Sequence, residues 1–388
     1  MKKVDTRAAF LAALALTACT AQATVIVVPT QQPTIQAGIN AASIGDTVLV
    51  LNGTYTGTGN RDIDFLGKNI TLQSQGGPQS CIIDVAATPT NQHSAFYLHM
   101  GETNSAIIQG FTVKRGWEFN GPGMLLFNSS PTVRNCVFTE HNADCWGGVV
   151  YFDSNSSPKF FDCRFTNNYS ADDGGAVFGF NGSPEFTNCL FANNIAPSLG
   201  GAILTYGSVS NTPKLINCTI TGNSGSLGAA IYSNNLIVEN SIIWGNTGGA
   251  QQIYTFTGNS MAVRYSNIQG GFAGTGNVNI APQFVNAAGG DYHLAPGSLC
   301  IDAGDPASIV PEGTLDADGD PRSFGVRIDM GIDEYRKAGD VNGDHATNVN
   351  DLLGVITAWG PCTWSNADFN HDFVVNVNDM LAVITNWD

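Results

Sequence analysis

Four stretches of the chain carry one arrangement of apolar and polar positions: VRNCVFTEHNADCWGGVVYF (133–152), FFDCRFTNNYSADDGGAVFGF (160–180), EFTNCLFANNIAPSLGGAIL (185–204) and LINCTITGNSGSLGAAIY (215–232). Each holds a short alternating strand, an Asn-rich turn, a Gly pair and a second apolar strand. Cys136, Cys163, Cys189 and Cys218 recur at intervals of 27, 26 and 29 residues. Gly147, Gly174 and Gly200 keep the same beat, and Gly228-Ala229 ends the series. IIQGFTV (107–113) fits the frame upstream, while VENSIIWGN (238–246) and VRYSNIQGG (263–271) extend it with Ser241 and Ser266 in the Cys column. Period-two alternation buries one face of a strand. A single unit cannot cover that face, so consecutive units must stack into a continuous column. The Gly pairs suit corners that need positive φ or a close approach between neighbouring coils.

The architecture that follows is all-β, a right-handed parallel β-helix. Residues 45–280 resemble the parallel β-helix repeats of secreted and surface proteins, the pectin-lyase-like fold. Open strand edges at the ends of such a solenoid need cover. PTIQAGINAA (33–42) sets Ile35, Ile39 and Ala42 at helical spacing and predicts a lid, followed by GDTVLVLNGTY as the first coil. Residues 281–336 are expected to close the other end. Within them DADGD (316–320) reads either as a cation site or as a solvated acidic turn. The Cys column predicts stacked inward thiols rather than disulfides, because strands ~4.8 Å apart with parallel Cβ vectors do not match the converging geometry of a disulfide. Asn135, Asn188 and Asn217, each preceding a column Cys, are expected to form an amide ladder.

The C-terminal pattern differs. Asp340, Asn342, Asp344, the carbonyl of Ala346, Asn348 and Asp351 stand at positions one, three, five, seven, nine and twelve of a loop, and Asp368, Asn370, Asp372, the carbonyl of Val374, Asn376 and Asp379 repeat them 28 residues on. This is the oxygen rhythm of an EF-hand calcium loop. Each loop leads into an apolar helical stripe, Leu352, Val355, Ile356 and Trp359 in the first and Met380, Val383, Ile384 and Trp387 in the second. Two such units resemble the type I dockerin module. The resemblance implies two bound Ca2+ ions, folding coupled to metal, and a pseudo-twofold surface for a cohesin-like protein partner. Two departures stand out. The sixth position, normally Gly, is His345 and Phe373, and positions ten and eleven are Val349-Asn350 and Val377-Asn378. The chain therefore divides into 1–23, 24–336 and a dockerin-like domain over 337–388.

Residues 1–23 read as an export signal: Lys2, Lys3 and Arg7, an apolar run from Ala8 to Ala18, then small residues up to Ala23. Leu16-Thr17-Ala18-Cys19 also resembles a lipobox, which would lipidate Cys19 and anchor the chain at the cell surface. No segment is long enough for a transmembrane span. A net charge of −16, from 32 acidic against 16 basic residues, argues against nucleic acid as a partner.

An exported β-helix with a dockerin-like tail implies work on extracellular polysaccharide, by hydrolysis or elimination at O-glycosyl bonds. The alternative is a non-catalytic carbohydrate-binding or cell-surface adhesion protein. The acidic residues in register across coils are Asp144 with Asp172 and Asp173, which stacking would set on one rim beside Glu140, His141 and Trp146. These three aspartates are the catalytic candidates, with solvated turn residues as the plainer reading. The motif set of polygalacturonases is missing apart from DDGG, and no pectate-lyase-like Arg motif is visible. Lys114, Arg115, Arg134 and Arg164 read as scattered cations, and whether the protein is an enzyme stays open.

Overall fold

The structure, a computed structural model, describes residues 23–388 except 154–155, 209–210, 256–260, 311–313, 317–318, 323, 363–364 and 371. The signal and lipobox readings fall outside the described residues. Parallel strands stack into three long faces of ten, nine and seven strands among the described residues, here called sheets A, B and C. The coil at 159–180 shows the plan: Lys159–Phe161 lies in sheet A, Arg164–Thr166 in sheet B, the short Tyr169–Ser170 beyond it, and Val177–Phe180 in sheet C. The next coil pairs in strict register, Phe160 with Phe186, Phe165 with Phe191 and Val177 with Ile203. The chain is a right-handed parallel β-helix of about nine turns.

Each column exists because the same residue type recurs at the same place in the coil. Phe160 stacks on Phe186 with ring centroids 5.0 Å apart, and Phe138, Phe165 and Phe191 continue at 5.2 and 4.8 Å. Cys136, Cys163, Cys189 and Cys218 are fully buried free thiols, as the strand spacing requires. Asn135, Asp162, Asn188, Asn217 and Asn240 form the corner between sheets A and B, all with φ between 46° and 55°. Asn and Asp enter that left-handed region more readily than other side-chain-bearing residues. Asn217 donates to Asn188 and Asn188 to Asp162, at 3.2 and 3.1 Å, so two members of the expected amide ladder join, and the run passes to the Asp162 carboxylate and not to Asn135. The first Gly of each pair takes positive φ. The second is a close approach: a Cβ on Gly148, Gly175 or Gly201 would lie 2.2–2.3 Å from a carbonyl oxygen of the neighbouring coil.

A second, fully buried ladder runs through Asn168, Asn194, Asn223 and Asn246, each donating to the next acceptor at 2.8 Å and ending on Gln252. Each of these Asn residues also donates to a carbonyl one coil back: Phe138, Phe165, Phe191 and Ile220. His141 heads the column in the same role. Its Nε2 faces the Val113 carbonyl at 3.0 Å, and its Nδ1 accepts from the Gly116 amide at 3.1 Å. That pair of contacts requires the neutral imidazole with its proton on Nε2.

Burial pushes the His141 pKa down to about 4, with the Val113 carbonyl pulling weakly the other way. A base depressed on folding leaves stability intact above its unfolded value of ~6.5, and that stability is lost as pH falls from there toward 4, a swing of about 3 kcal/mol. His141→Asn would extend the ladder with its own residue type. We expect the variant to fold and to keep its urea midpoint between pH 6.5 and 4, where the parent loses it. Equal acid sensitivity in the two proteins would refute the assignment.

The strand Val25–Val28 precedes the first expected coil and pairs with Thr47–Val50. Helix α1 (Ile35–Ala41), capped by Thr34, covers the N-terminal opening with Ile35, Gly38 and Ile39, as the spacing predicts. At the far end Phe272 packs against the interior. Residues 281–336 turn back along the outside of the solenoid as a strap. Ile332 packs on Leu190 and Ala192, and Cys300 and Met330 pack on Ile242. The Ile332 amide donates to Thr219 Oγ1, and the Gly331 amide to the Asn240 carbonyl.

The tail holds two nine-residue helices, α2 (Val349–Thr357) and α3 (Val377–Thr385), around a small core of Val355, Ala367, Val375 and Val383. The predicted stripes are buried only in part. Val355 and Val383 point inward and Leu352 and Met380 partly so, whereas Ile356, Trp359, Ile384 and Trp387 are about half exposed. Helices this short, sharing so small a core, present one line of side chains to it and turn the rest outward. None of the described helices is long and apolar enough to cross a membrane.

Candidate functional site

The corner between sheets A and B opens into a groove of about 740 Å³, continuous with a second hollow of about 350 Å³ through their shared lining residues Asn135, Asp162 and Arg164. The corner builds it. The left-handed turn at Asn135, Asp162 and Asn188 sends the last residue of the sheet A strand and the first residue of the sheet B strand outward on either side. Arg134 and Phe161 thus come from sheet A, and Arg164 and Leu190 from sheet B. The Arg134 guanidinium lies over the Phe161 ring, 4.2 Å from its centroid, which keeps it extended across the floor. Asp162 is raised above the ordinary carboxylate range by burial, against the pull of the Asn188 amide, Arg134 and the buried Arg322. In a chain of net charge −16 the lining sets two arginines, Arg134 and Arg164, against two aspartates, Asp162 and Asp316. Asp316 also borders the groove, but its oxygens accept the Gly319, Asp320 and Glu334 amides. Within DADGD, Ala317 and Asp318 lie outside the described residues.

The three sequence-predicted catalytic aspartates stand elsewhere, beyond sheet B on the way to sheet C. Asn142 and Ala143 pair with Tyr169 and Ser170, so Asp144 continues over Ala171, one place out of step with Asp172. Asp144 accepts from the Trp117 indole at 2.7 Å and from the Gln92 amide at 2.5 Å. Asp173 accepts the Leu199 amide of the following coil at 2.9 Å. Burial raises its pKa, that amide pulls it back, and neighbouring Asp172 raises it again. Trp146 remains on this rim, about half exposed and stacked on Phe178. His141, expected beside it, is interior. The sequence reading passed over Arg134 and Arg164. Their signal was present, since each flanks the Asx-Cys pair of its repeat.

The two tail loops repeat their carboxylates and amides in step, though among the described residues no group of three or more His, Cys, Asp and Glu side chains is drawn together as a metal site. Asp340, Asp351, Asp368 and Asp379 are buried, and among the described residues no basic side chain forms an ion pair with any of them. Asp340 accepts the Gly343 and His345 amides. Its pKa is raised by burial and, beyond the opposing effect of those amides, by Asp351 and Asp344 nearby. In the second loop Asp368 accepts from Asp372 and Phe373, and Asp379 from Phe369 and Asn376. Crowded, buried carboxylates without a counter-cation suit a hard divalent cation. His345 and Phe373 adopt φ of 60° and 65°, so the loop makes its sharp turn without Gly. His345 Nε2 also meets Asp302 Oδ2 at 2.9 Å, fastening the first loop to the strap.

Phe373 has no comparable contact and is 63% exposed. A left-handed non-Gly residue costs ~1–2 kcal/mol, part of which Gly returns as entropy of the unfolded chain. Phe373→Gly should therefore stabilise the tail by up to about 1 kcal/mol. A lower melting temperature for the tail transition would contradict this.

A family model for the right handed beta helix region matches residues 90–191 and 169–280. No curated protein matches the sequence. Among solved structures the chain is similar to a pectate lyase, Pel9A, with a TM-score of 0.51 and 14% identity over 81% of this chain and 96% of that one. A pectin methylesterase from Yersinia enterocolitica follows with a TM-score of 0.38 and 14% identity, over 62% and 81% of the two chains. A rhamnogalacturonan lyase has a TM-score of 0.28 and 13% identity, over 68% and 91%. At such identities the likeness to the pectate lyase is one of fold.

Proposed function

We propose that this β-helix acts on an acidic extracellular polysaccharide, which it holds in the groove between sheets A and B. The observation that carries the reading is the placement of Arg134 and Arg164 on either side of Asp162 in a protein otherwise rich in negative charge. Guanidinium groups pair with planar carboxylates in two parallel hydrogen bonds, so a uronate chain is the natural ligand. Hydrolysis of a glycosidic bond asks for two working carboxyl groups, usually ~5 Å or 6.5–9.5 Å apart. This groove offers Asp162 and an Asp316 already bound to backbone amides, which favours elimination over hydrolysis. In that reading the arginines pair with the uronate carboxylate and acidify the proton on the carbon beside it, Asp162 takes that proton, the glycosidic C–O bond one carbon further breaks as the C=C bond forms, and the departing glycosyl oxygen takes its proton back from Asp162 or from water. That a pectate lyase shares the fold is consistent with this, although the argument rests on the groove.

The tail is proposed as a calcium-dependent tether. Asp340, Asn342, Asp344, Ala346, Asn348 and Asp351 would hold one ion, and Asp368, Asn370, Asp372, Val374, Asn376 and Asp379 the other. Bound calcium would supply the positive charge that the buried carboxylates lack. Val349, Leu353, Ile356 and Trp359 are matched 28 residues on by Val377, Leu381, Ile384 and Trp387, all about half exposed. Such a duplicated apolar stripe supports docking to a cohesin-like partner. Export, by cleavage after Ala23 or by lipidation at Cys19, completes the proposal.

The deciding assay incubates the protein with acidic and neutral polysaccharides in calcium and follows unsaturated products and new reducing ends. Unsaturated ends from an acidic glycan establish elimination. Retention without products would make the groove a binding site and not an active site. Cleavage or retention confined to neutral glycans would overturn the groove assignment.

A further inference from the structure

We infer that the groove is blind at one end, so that it takes the terminus of a glycan chain rather than its middle. The inference rests on the reading above that this groove is the glycan site. The A/B corner runs the whole length of the solenoid, through Asn135, Asp162, Asn188, Asn217 and Asn240, but only its first part is open. At Asn188 the strap arrives, its Leu315 carbonyl accepting from Asn188 Nδ2 at 3.3 Å. Beyond that point the same corner is filled. Ile332 sits on Leu190, with its amide on Thr219 Oγ1. Asn240 takes the Asp305 amide on its Oδ1, donates to Ser308 Oγ and accepts Gly331 at its carbonyl.

The filling is tight. A Cβ on Gly331 would lie 2.8 Å from Thr219 Oγ1 and 2.9 Å from Ile242, so no sugar ring can thread beneath the strap. In the other direction the lining continues past Val137 and Thr112 to Gln79 and Pro78. From Thr112 to Leu190 the trough spans three coil steps of ~4.8 Å, roughly 14 Å, room for a short oligosaccharide. Arg134 and Arg164 lie next to the closed end, where the terminal residues of the chain would rest.

The test measures stoichiometry on the full chain with polygalacturonate and its size-fractionated oligomers, by calorimetry and sedimentation. Terminal binding predicts one or at most two proteins per glycan at every length, and an affinity per chain that changes by less than about threefold from a short oligomer to the polymer. Under matched carboxylate concentration the short oligomers then outcompete the polymer, since they present more ends. A number of bound proteins that grows in proportion to chain length would overturn the blind-end inference while leaving the acidic-glycan site intact. No binding to oligomer or polymer, with the protein folded by circular dichroism, would remove the acidic-glycan reading and this inference with it. Capping the reducing end of the oligomer by reduction tells which terminus enters.

Discussion

Replacing both Arg134 and Arg164 with alanine should abolish retention on acidic polysaccharide while leaving the β-helix folded. Hydrogen bonds to charged groups contribute about 1.5–3 kcal/mol each. Losing two such contacts corresponds to roughly 10² to 10⁴ in affinity. Both side chains line the groove at the ends of their strands, away from the interior Phe and Cys columns. Truncating Arg134 also frees the Phe161 ring it covers, so a small loss of stability accompanies the large loss of binding. The parent's affinity should fall as salt is raised, because the groove's attraction for a polyanion is screened over ~8–10 Å at physiological ionic strength. An undiminished affinity in the double variant would exclude the groove as the site.

Chelation is the second large effect. Asp340, Asp351, Asp368 and Asp379 are buried and held by backbone amides, with no basic side chain of the described residues paired to them. Removing calcium should open both loops and leave the solenoid untouched. Saturating metal at 100 times its dissociation constant would add ~2.7 kcal/mol per site, a large share of the stability of a small two-helix unit. Hydrogen exchange on the full chain reads this directly. The Gly343, His345 and Phe373 amides, which donate to Asp340 and Asp368, should lose protection in EDTA, while the ladder amides of Asn168 and Asn194 keep theirs. Identical protection with and without calcium would refute the metal assignment. The His345 contact with Asp302 gives the effect a possible reach, because it joins the first loop to the strap that closes the groove.

Much of the solenoid was legible in the sequence because its signals are local and repeated. The Cys spacing, the Gly at each corner and the Asn or Asp before each Cys are the same physical requirement met once per coil, so four copies read as a column. The duplication in the tail was legible for a similar reason, as the 28-residue displacement keeps Asp340, Asn342, Asp344, Asn348 and Asp351 in step with Asp368, Asn370, Asp372, Asn376 and Asp379. What misled was any inference about direction. Ile356, Trp359, Ile384 and Trp387 fit a buried stripe by spacing, yet the two isoleucines turn outward from short helices that share a small core, and Trp359 and Trp387 lie past the helix ends at Thr357 and Thr385. Counted from the Gly pairs, Asp144 stands one place out of step with Asp172, and the pairing of Ala143 with Ser170 keeps that offset.

The sequence by itself determined the coil and its inward columns, because backbone spacing and side-chain alternation depend only on neighbours in the chain and one coil away. Only the tertiary structure decided the groove. Arg134 and Arg164 are 30 residues apart, with a coil corner between them, and the strap that ends their trough comes from residues more than 120 positions beyond Asn188. No periodicity encodes that return. It is set by where Ile332, Met330 and Cys300 find apolar cover on the outside of sheet B, a match of surfaces that exists once the solenoid has formed.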